Sequence, residues 1–182
     1  MIRNEEQAYK LRELGGEPIV ADLEGDISHT VEGCDAVVFS AGGGPGSGAE
    51  KKETVDKGGA VKLIEAAQEH GARRYVMVSA MGTADPDSGS EAMQPYLHAK
   101  AQADQTLQES ELDYTIVRPG RLTDEAGTGK VEAAPSLDKR GEIPREDTAR
   151  VIVAALESEN TIGKIFEVLS GDTPVEEAIN QL

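Results

Sequence analysis

Cysteine, aromatic residues and positive charge are all scarce in this chain. Of its 182 residues one is cysteine, none is tryptophan, and phenylalanine and tyrosine number two and four. The single Cys34 excludes an internal disulfide; with no activating arrangement around it, it reads as a small core residue before a strand rather than a nucleophile. Basic residues number 18 against 34 acidic ones, a formal net charge of −16, and the scattered Lys and Arg form no cluster that would grip phosphates, so no nucleic-acid partner is expected. No apolar run approaches the roughly 20 residues of a membrane span, and Met1–Glu6 has no hydrophobic signal core, which predicts no membrane partner and a cytoplasmic protein. His29, His70 and His98 share no ligand spacing with acids or Cys34, so no metal site is expected. The acidic excess could signal disorder, yet 38% hydrophobic residues in orderly patterns argue for a folded domain with an acidic surface. Such a surface suits high salt, where the screening length falls to roughly 3 Å at 1 M.

What is present is a regular alternation of apolar strands and amphipathic helices over residues 1–182, long enough for one core and one domain. The pattern predicts a helix from Glu5 to Leu14 stopped by Gly15-Gly16, then a short strand Ile19–Asp22. A buried strand Val37–Ala41 follows, then a helix over Ala60–Gln68 ending at Gly71. Next come a strand Val76–Ser79, a polar loop, and a helix from Pro95 to about Glu109, with Pro95 in the first turn where a missing donor costs nothing. Strands Asp113–Val117 and Lys164–Leu169 and helices Arg145–Leu156 and Val175–Leu182 complete the chain. Repeated strand–helix alternation gives an α/β fold of parallel strands with crossover helices on both faces.

Four segments in fixed order sharpen this: Val37-Val38-Phe39-Ser40-Ala41-Gly42, Val76-Met77-Val78-Ser79, Tyr96-Leu97-His98-Ala99-Lys100 and Thr115-Ile116-Val117-Arg118-Pro119-Gly120. Ligands of an open parallel sheet bind beyond the carboxyl ends of its strands, where Ala41-Gly42, Ser79 and Pro119-Gly120 fall. Together with Ile64-Glu65-Ala66-Ala67 and Gly71–Val76, these segments resemble the atypical NAD(P)-binding branch of the short-chain dehydrogenase/reductase superfamily, the NAD-dependent epimerase/dehydratase-like proteins. The resemblance implies a three-layer Rossmann-like parallel sheet. It also implies that the first strand, its Gly-x-x-Gly-x-x-Gly phosphate turn, the first helix and most of the second strand are not in this sequence, Ile2 reading as the tail of the second strand. An abbreviated paralogue, a start at an internal methionine, and a chain that repairs its sheet edge by pairing with another copy are all compatible with that pattern, so a homo-oligomer through exposed edges is possible on this reading.

The resemblance implies roles for particular residues. Tyr96 and Lys100, four apart on one helix face, would pass a proton to or from a substrate oxygen and hold the nicotinamide ribose, with the Lys100 ammonium lowering the phenol pKa. Ser79 would hydrogen-bond that oxygen. Arg3, at the end of the second strand, would meet a 2′-phosphate, which favours NADP with NAD possible, or else is a solvated surface arginine. Asp22-Leu23 and Ala41-Gly42 would flank adenine and its ribose, although a glycine there can equally be a turn former. Pro119-Gly120 would complete the cofactor site. The implied activity is an NAD(P)-dependent oxidoreductase or epimerase acting on a small molecule of unknown identity; a non-catalytic dinucleotide-sensing or interaction module is the alternative.

Three further features stay secondary. Gly44-x-Gly46-x-x-Ala49 loosely matches a dinucleotide fingerprint, but Pro45 removes a donor and no acidic residue ends the next strand, so it reads as a loop at the site's mouth. Arg118 and Arg121 read as solvent-exposed, or as contacts to an anionic substrate. The region Thr123–Ile143 reads as a polar substrate cover without aromatic residues.

Overall fold

The computed structural model describes residues 1–44 and 46–182; Pro45, and with it the reading of its missing donor, lies outside the described residues. Strands β1 (Ala36–Phe39), β2 (Arg74–Val78), β3 (Asp113–Pro119), β4 (Arg121–Thr123), β5 (Lys130–Ala134), β6 (Glu142–Pro144), β7 (Lys164–Ser170) and β8 (Thr173–Pro174) alternate with helices. The α-helices are α1 (Ala8–Glu13), α2 (Ala49–Lys51), α3 (Gly58–His70), α4 (Gln94–Gln108), α5 (Arg145–Glu157) and α6 (Val175–Asn180). A π-helical segment, Lys52–Lys57, joins α2 to α3.

The main sheet runs β1-β2-β3-β7-β5-β8, and the pairs β1·β2, β2·β3 and β3·β7 are parallel. The doubly wound α/β reading therefore holds. Two features depart from an all-parallel expectation: β5 pairs antiparallel with β7 and with β8, and β4 and β6 form a small parallel sheet of their own. Thr123–Ile143 therefore carries short paired stretches, Lys130–Ala134 above all, between irregular segments.

Strand side chains alternate, and the alternation sorts the core into two layers. Val37, Phe39, Tyr75, Met77 and Ile116 face Ala60, Leu63, Ile64, Ala67, Ala103 and Leu107 of α3 and α4. Val76, Val117, Phe166 and Val168 face Val151 and Ala155 of α5 and Ala178 and Ile179 of α6. Gly71 ends α3 in the left-handed conformation at φ 76°, where a side chain would be strained.

The amino-terminal region is thinner than the sequence pattern suggests. The expected strand Ile19–Asp22 is reduced to a single parallel bridge between Ile2 and Val20, with Ile2 N–H donating to Ile19 at 2.8 Å and Ala21 N–H to Ile2 at 2.9 Å. This places Ile2 beside the next strand, as a second-strand tail would be. Among the described residues β1 has no partner on its outer edge, and Val38 is 41% exposed. Cys34 does precede β1, as read, but is exposed, which corrects its reading as core: it sits in the turn after Val31.

Candidate functional site

The carboxyl ends of β1 and β2 converge on one face of α4. Residues four apart on a helix share a face, and on α4 that stripe is Tyr96, Lys100 and Asp104. Lys100 is 3% exposed and donates to the carbonyls of Ala41, just past β1, at 3.3 Å and of Val78, the last residue of β2, at 3.1 Å. Its ammonium also lies 5.3 Å from the centre of the Phe39 ring. Burial lowers the Lys100 pKa, and the Asp56 and Asp104 carboxylates work against that shift.

Ser79 follows β2 and is 3% exposed; its hydroxyl donates to Asp104 Oδ2 at 2.9 Å. The same oxygen accepts from Arg118 Nε at 3.2 Å and Nη2 at 2.9 Å. Arg118 is therefore no solvated arginine: it is drawn down onto a carboxylate that is 1% exposed. Asp104 Oδ1 has no partner among the described residues. Burial raises the Asp104 pKa above the usual range, with Ser79 and Arg118 opposing.

Tyr96 stands partly exposed at the mouth. Burial first, then the carboxylates of Asp56 and Asp104, push its phenol up to about 12, which corrects the expectation that Lys100 lowers it: the Lys100 ammonium is turned to the Ala41 and Val78 carbonyls instead. The Lys52 ammonium lies 5.1 Å from the Tyr96 ring centre. Asp56, 1% exposed, accepts from the Gly43 N–H at 2.9 Å. A Cβ on Gly42 would come within 2.7 Å of Asp56 Oδ1, so Gly42 allows this carboxylate to approach the backbone.

The remaining expected residues fall at two places. Arg3 and Asp22 are exposed, and Arg3 helps to lower the pKa of Glu24, whose larger influences are Lys51 and Thr54 at the start of the long helical segment. Asp22 Oδ1 accepts from the Glu24 N–H at 3.0 Å in a tight turn. Leu23 is a core residue packed against Gly59, where an added Cβ would stand 3.0 Å away. On the other side, the Pro119 carbonyl accepts from the Met81 N–H at 3.1 Å, and Gly120 N–H donates to Val168 at 3.0 Å. Gly120 and Gly141 approach so closely that a Cβ at 120 would meet the Gly141 carbonyl at 2.5 Å. Beyond them opens a cavity of about 390 Å³, lined by residues including Thr123, Thr128, Arg140, Gly141, Glu142 and Leu169. Thr128 of that lining is fixed by Asp147, 0% exposed, whose carboxylate accepts from the Thr128 and Gly129 N–H groups, both at 2.8 Å.

Sequence reasoning thus brings Ser79, Tyr96 and Lys100 to one place, and misses Asp104, Asp56 and Lys52. Asp104 was findable, since it continues the Tyr96–Lys100 stripe by one further turn. Asp56 and Lys52 carried no such signal, because a π-helical segment breaks the periodicity from which faces are read.

A mainly parallel sheet with helices on both faces places this chain among the Rossmann-like α/β domains. The model of the NAD(P)H-binding family matches residues 1–159, and the chain belongs to that family. It is 44% identical over its whole length to a Bacillus subtilis protein described as an uncharacterized sugar epimerase, YhfK, of which it covers 86%. A solved structure from Bacillus halodurans, named as a candidate NAD-dependent epimerase/dehydratase, superposes with a TM-score of 0.96 at 49% identity, covering all of this chain and 86% of that one. The Lactococcus lactis oxidoreductase ylbE superposes with a TM-score of 0.80 at 30% identity, over 91% of this chain and 77% of its own.

Proposed function

We propose that the chain is an NADP-dependent oxidoreductase or epimerase-like protein whose site is Ser79, Tyr96 and Lys100. The observation that carries this reading is Lys100: a buried ammonium bridging the Ala41 and Val78 carbonyls at the ends of two neighbouring parallel strands. An ammonium has three donors, and these two acceptors leave one for a ribose hydroxyl, so the donor set fits the nicotinamide end of a dinucleotide. Arg3, Asp22 and Leu23 would receive the adenine end, Ala41 and Gly42 its ribose, and Pro119 and Gly120 the nicotinamide side. Bound there, the cofactor supplies or accepts hydride.

Within this reading the protein's own work is proton handling. Tyr96 carries its proton at neutral pH and stands partly exposed at the mouth of the site, so it is the donor in the reductive direction on this reading, with a cofactor or substrate charge needed to offset the burial and the carboxylates that hold its phenol at about 12. Lys100, turned to the Ala41 and Val78 carbonyls, would position the nicotinamide ribose rather than tune the phenol. Arg3 favours NADPH over NADH through its guanidinium. Comparing the wild type with Tyr96→Phe tests the assignment: dinucleotide affinity should be retained while any NADPH oxidation collapses.

A second reading has one observation in its favour. The Ser79 hydroxyl is committed to Asp104, and a serine so engaged cannot donate to a carbonyl without breaking that bond. A site that binds the dinucleotide and senses it without turnover is compatible with this, and predicts that Tyr96→Phe changes nothing measurable.

A further inference from the structure

We propose that Lys52 is a dinucleotide-binding residue that grips a phosphate oxygen at the nicotinamide end of the cofactor. This rests on the NAD(P) reading above. The argument begins with charge. A protein of net charge −16 must still hold a polyanion, so the cations facing the strand ends decide whether it can. Two of those cations are already engaged: Arg118 is closed onto Asp104, and Lys100 lies deep between two carbonyls. Neighbouring lysines on the same helical segment are engaged elsewhere, Lys51 with Glu24, Lys57 with Glu53 at 2.5 Å, and Lys62 with the carbonyls of Leu23 and Gly25.

Lys52 differs from all of these. Its ammonium donates to the Gly44 carbonyl at 3.0 Å, in the loop that leaves β1, and stands 5.1 Å from the centre of the Tyr96 ring. Its carboxylate neighbour Asp56 is 3.9 Å away, beyond hydrogen-bonding distance, and one Asp56 oxygen is already held by the Gly43 N–H. The lysine side chain is 15% exposed, so it is largely packed yet retains some contact with solvent. The π-helical segment Lys52–Lys57 produces this arrangement by widening one turn and directing Lys52 and Asp56 toward α4. Exchanging one neutral carbonyl for a phosphate oxygen strengthens the lysine's hydrogen bond, because both partners are then charged.

The position next to Tyr96 assigns the contact to the part of the cofactor shared by NADH and NADPH, and separates Lys52 from Arg3. The test is fluorescence titration of the 182-residue chain with NADPH and with NADH, using the wild type, Lys52→Met, Lys52→Arg, Lys57→Met and Arg3→Met, with folding of each verified by circular dichroism. Lys52→Met keeps the packed stem and should weaken both nucleotides by about tenfold. Lys52→Arg should restore binding to within about threefold, Lys57→Met should match the wild type, and Arg3→Met should weaken NADPH alone. Wild-type affinity for both nucleotides in Lys52→Met would overturn the proposal, and so would a loss confined to NADPH, which would move the contact to the 2′-phosphate. A folded wild type that binds neither nucleotide would instead refute the NAD(P) reading on which the proposal depends.

Discussion

Arg118 directs both its Nε and its Nη2 at a single oxygen of Asp104, the oxygen that also receives the Ser79 hydroxyl. One carboxylate thus ties the end of β2, the end of β3 and the middle of α4 together beneath the candidate site. Removing one member of a buried ion pair leaves the other uncompensated, which costs roughly 3–5 kcal/mol. Arg118→Ala should therefore destabilise strongly. Arg121→Ala, which breaks only an exposed pair with Glu142, should cost at most about 1 kcal/mol. Urea denaturation of the two variants checks the contrast.

Asp104 and Asp147 should respond to pH in opposite senses. Burial raises the Asp104 pKa, so the native state holds that proton where the unfolded chain has lost it, and the Asp104 contribution to stability declines as pH rises from the ordinary value of 3.8 through the raised one. For Asp147 burial acts upward, but the Thr128 and Gly129 N–H groups, the Thr128 hydroxyl and Arg150 outweigh it and lower the pKa. Its stabilisation is present above 3.8 and is lost as pH falls through the lowered value. In denaturation midpoints followed between about pH 3 and pH 7, Asp104→Asn should remove a decline toward neutral pH, and Asp147→Asn a decline toward acid.

Gly120 has a packing requirement as well as a site assignment. A methyl group there would meet Leu169 Cδ2 at 2.3 Å and the Gly141 carbonyl at 2.5 Å, and backbone cannot move aside cheaply. Gly120→Ala should cost about 1–3 kcal/mol through overpacking and disturb the cavity beside Gly141. Gly48→Ala, with nothing near the added carbon, should be close to neutral. Thermal melts of both variants measure the difference.

The Tyr96 phenol should ionise only in strong alkali, near the value of about 12 set by its burial and the two carboxylates. The alkaline difference spectrum between wild type and Tyr96→Phe isolates that group. Asp56→Asn and Asp104→Asn should each move the transition to lower pH, because each removes a negative charge that opposes the phenolate. A transition in the ordinary tyrosine range for the wild type would contradict the arrangement of charges described here.

Much of this arrangement is legible in the sequence. The apolar runs Val76–Val78 and Thr115–Val117 read as buried strands and are so, whereas Val37–Phe39 reads the same way but forms an edge strand that leaves Val38 exposed on one face. The antiparallel β5 was not legible: Lys130–Ala134 holds one strongly apolar residue, Val131, and becomes a strand because β7 offers it an edge. Nor were the buried charges legible at Arg118, Asp104 and Asp56. A charged residue in sequence reads as surface, and only the tertiary fold brings a partner that permits burial. Cys34 failed in the reverse direction, since a small apolar side chain tells nothing of the turn that turns it outward.

The most direct test of the central claim, that the ends of β1 and β2 and the face of α4 form the dinucleotide site, is amide hydrogen exchange with and without NADPH. The account predicts slowed exchange in Ala41–Gly44, Ser79–Thr83 and the first turns of α4 around Tyr96 and Lys100, with little change around the cavity lined by Thr128 and Arg140. Unchanged exchange in those segments at saturating NADPH, or protection confined to that cavity, would contradict it.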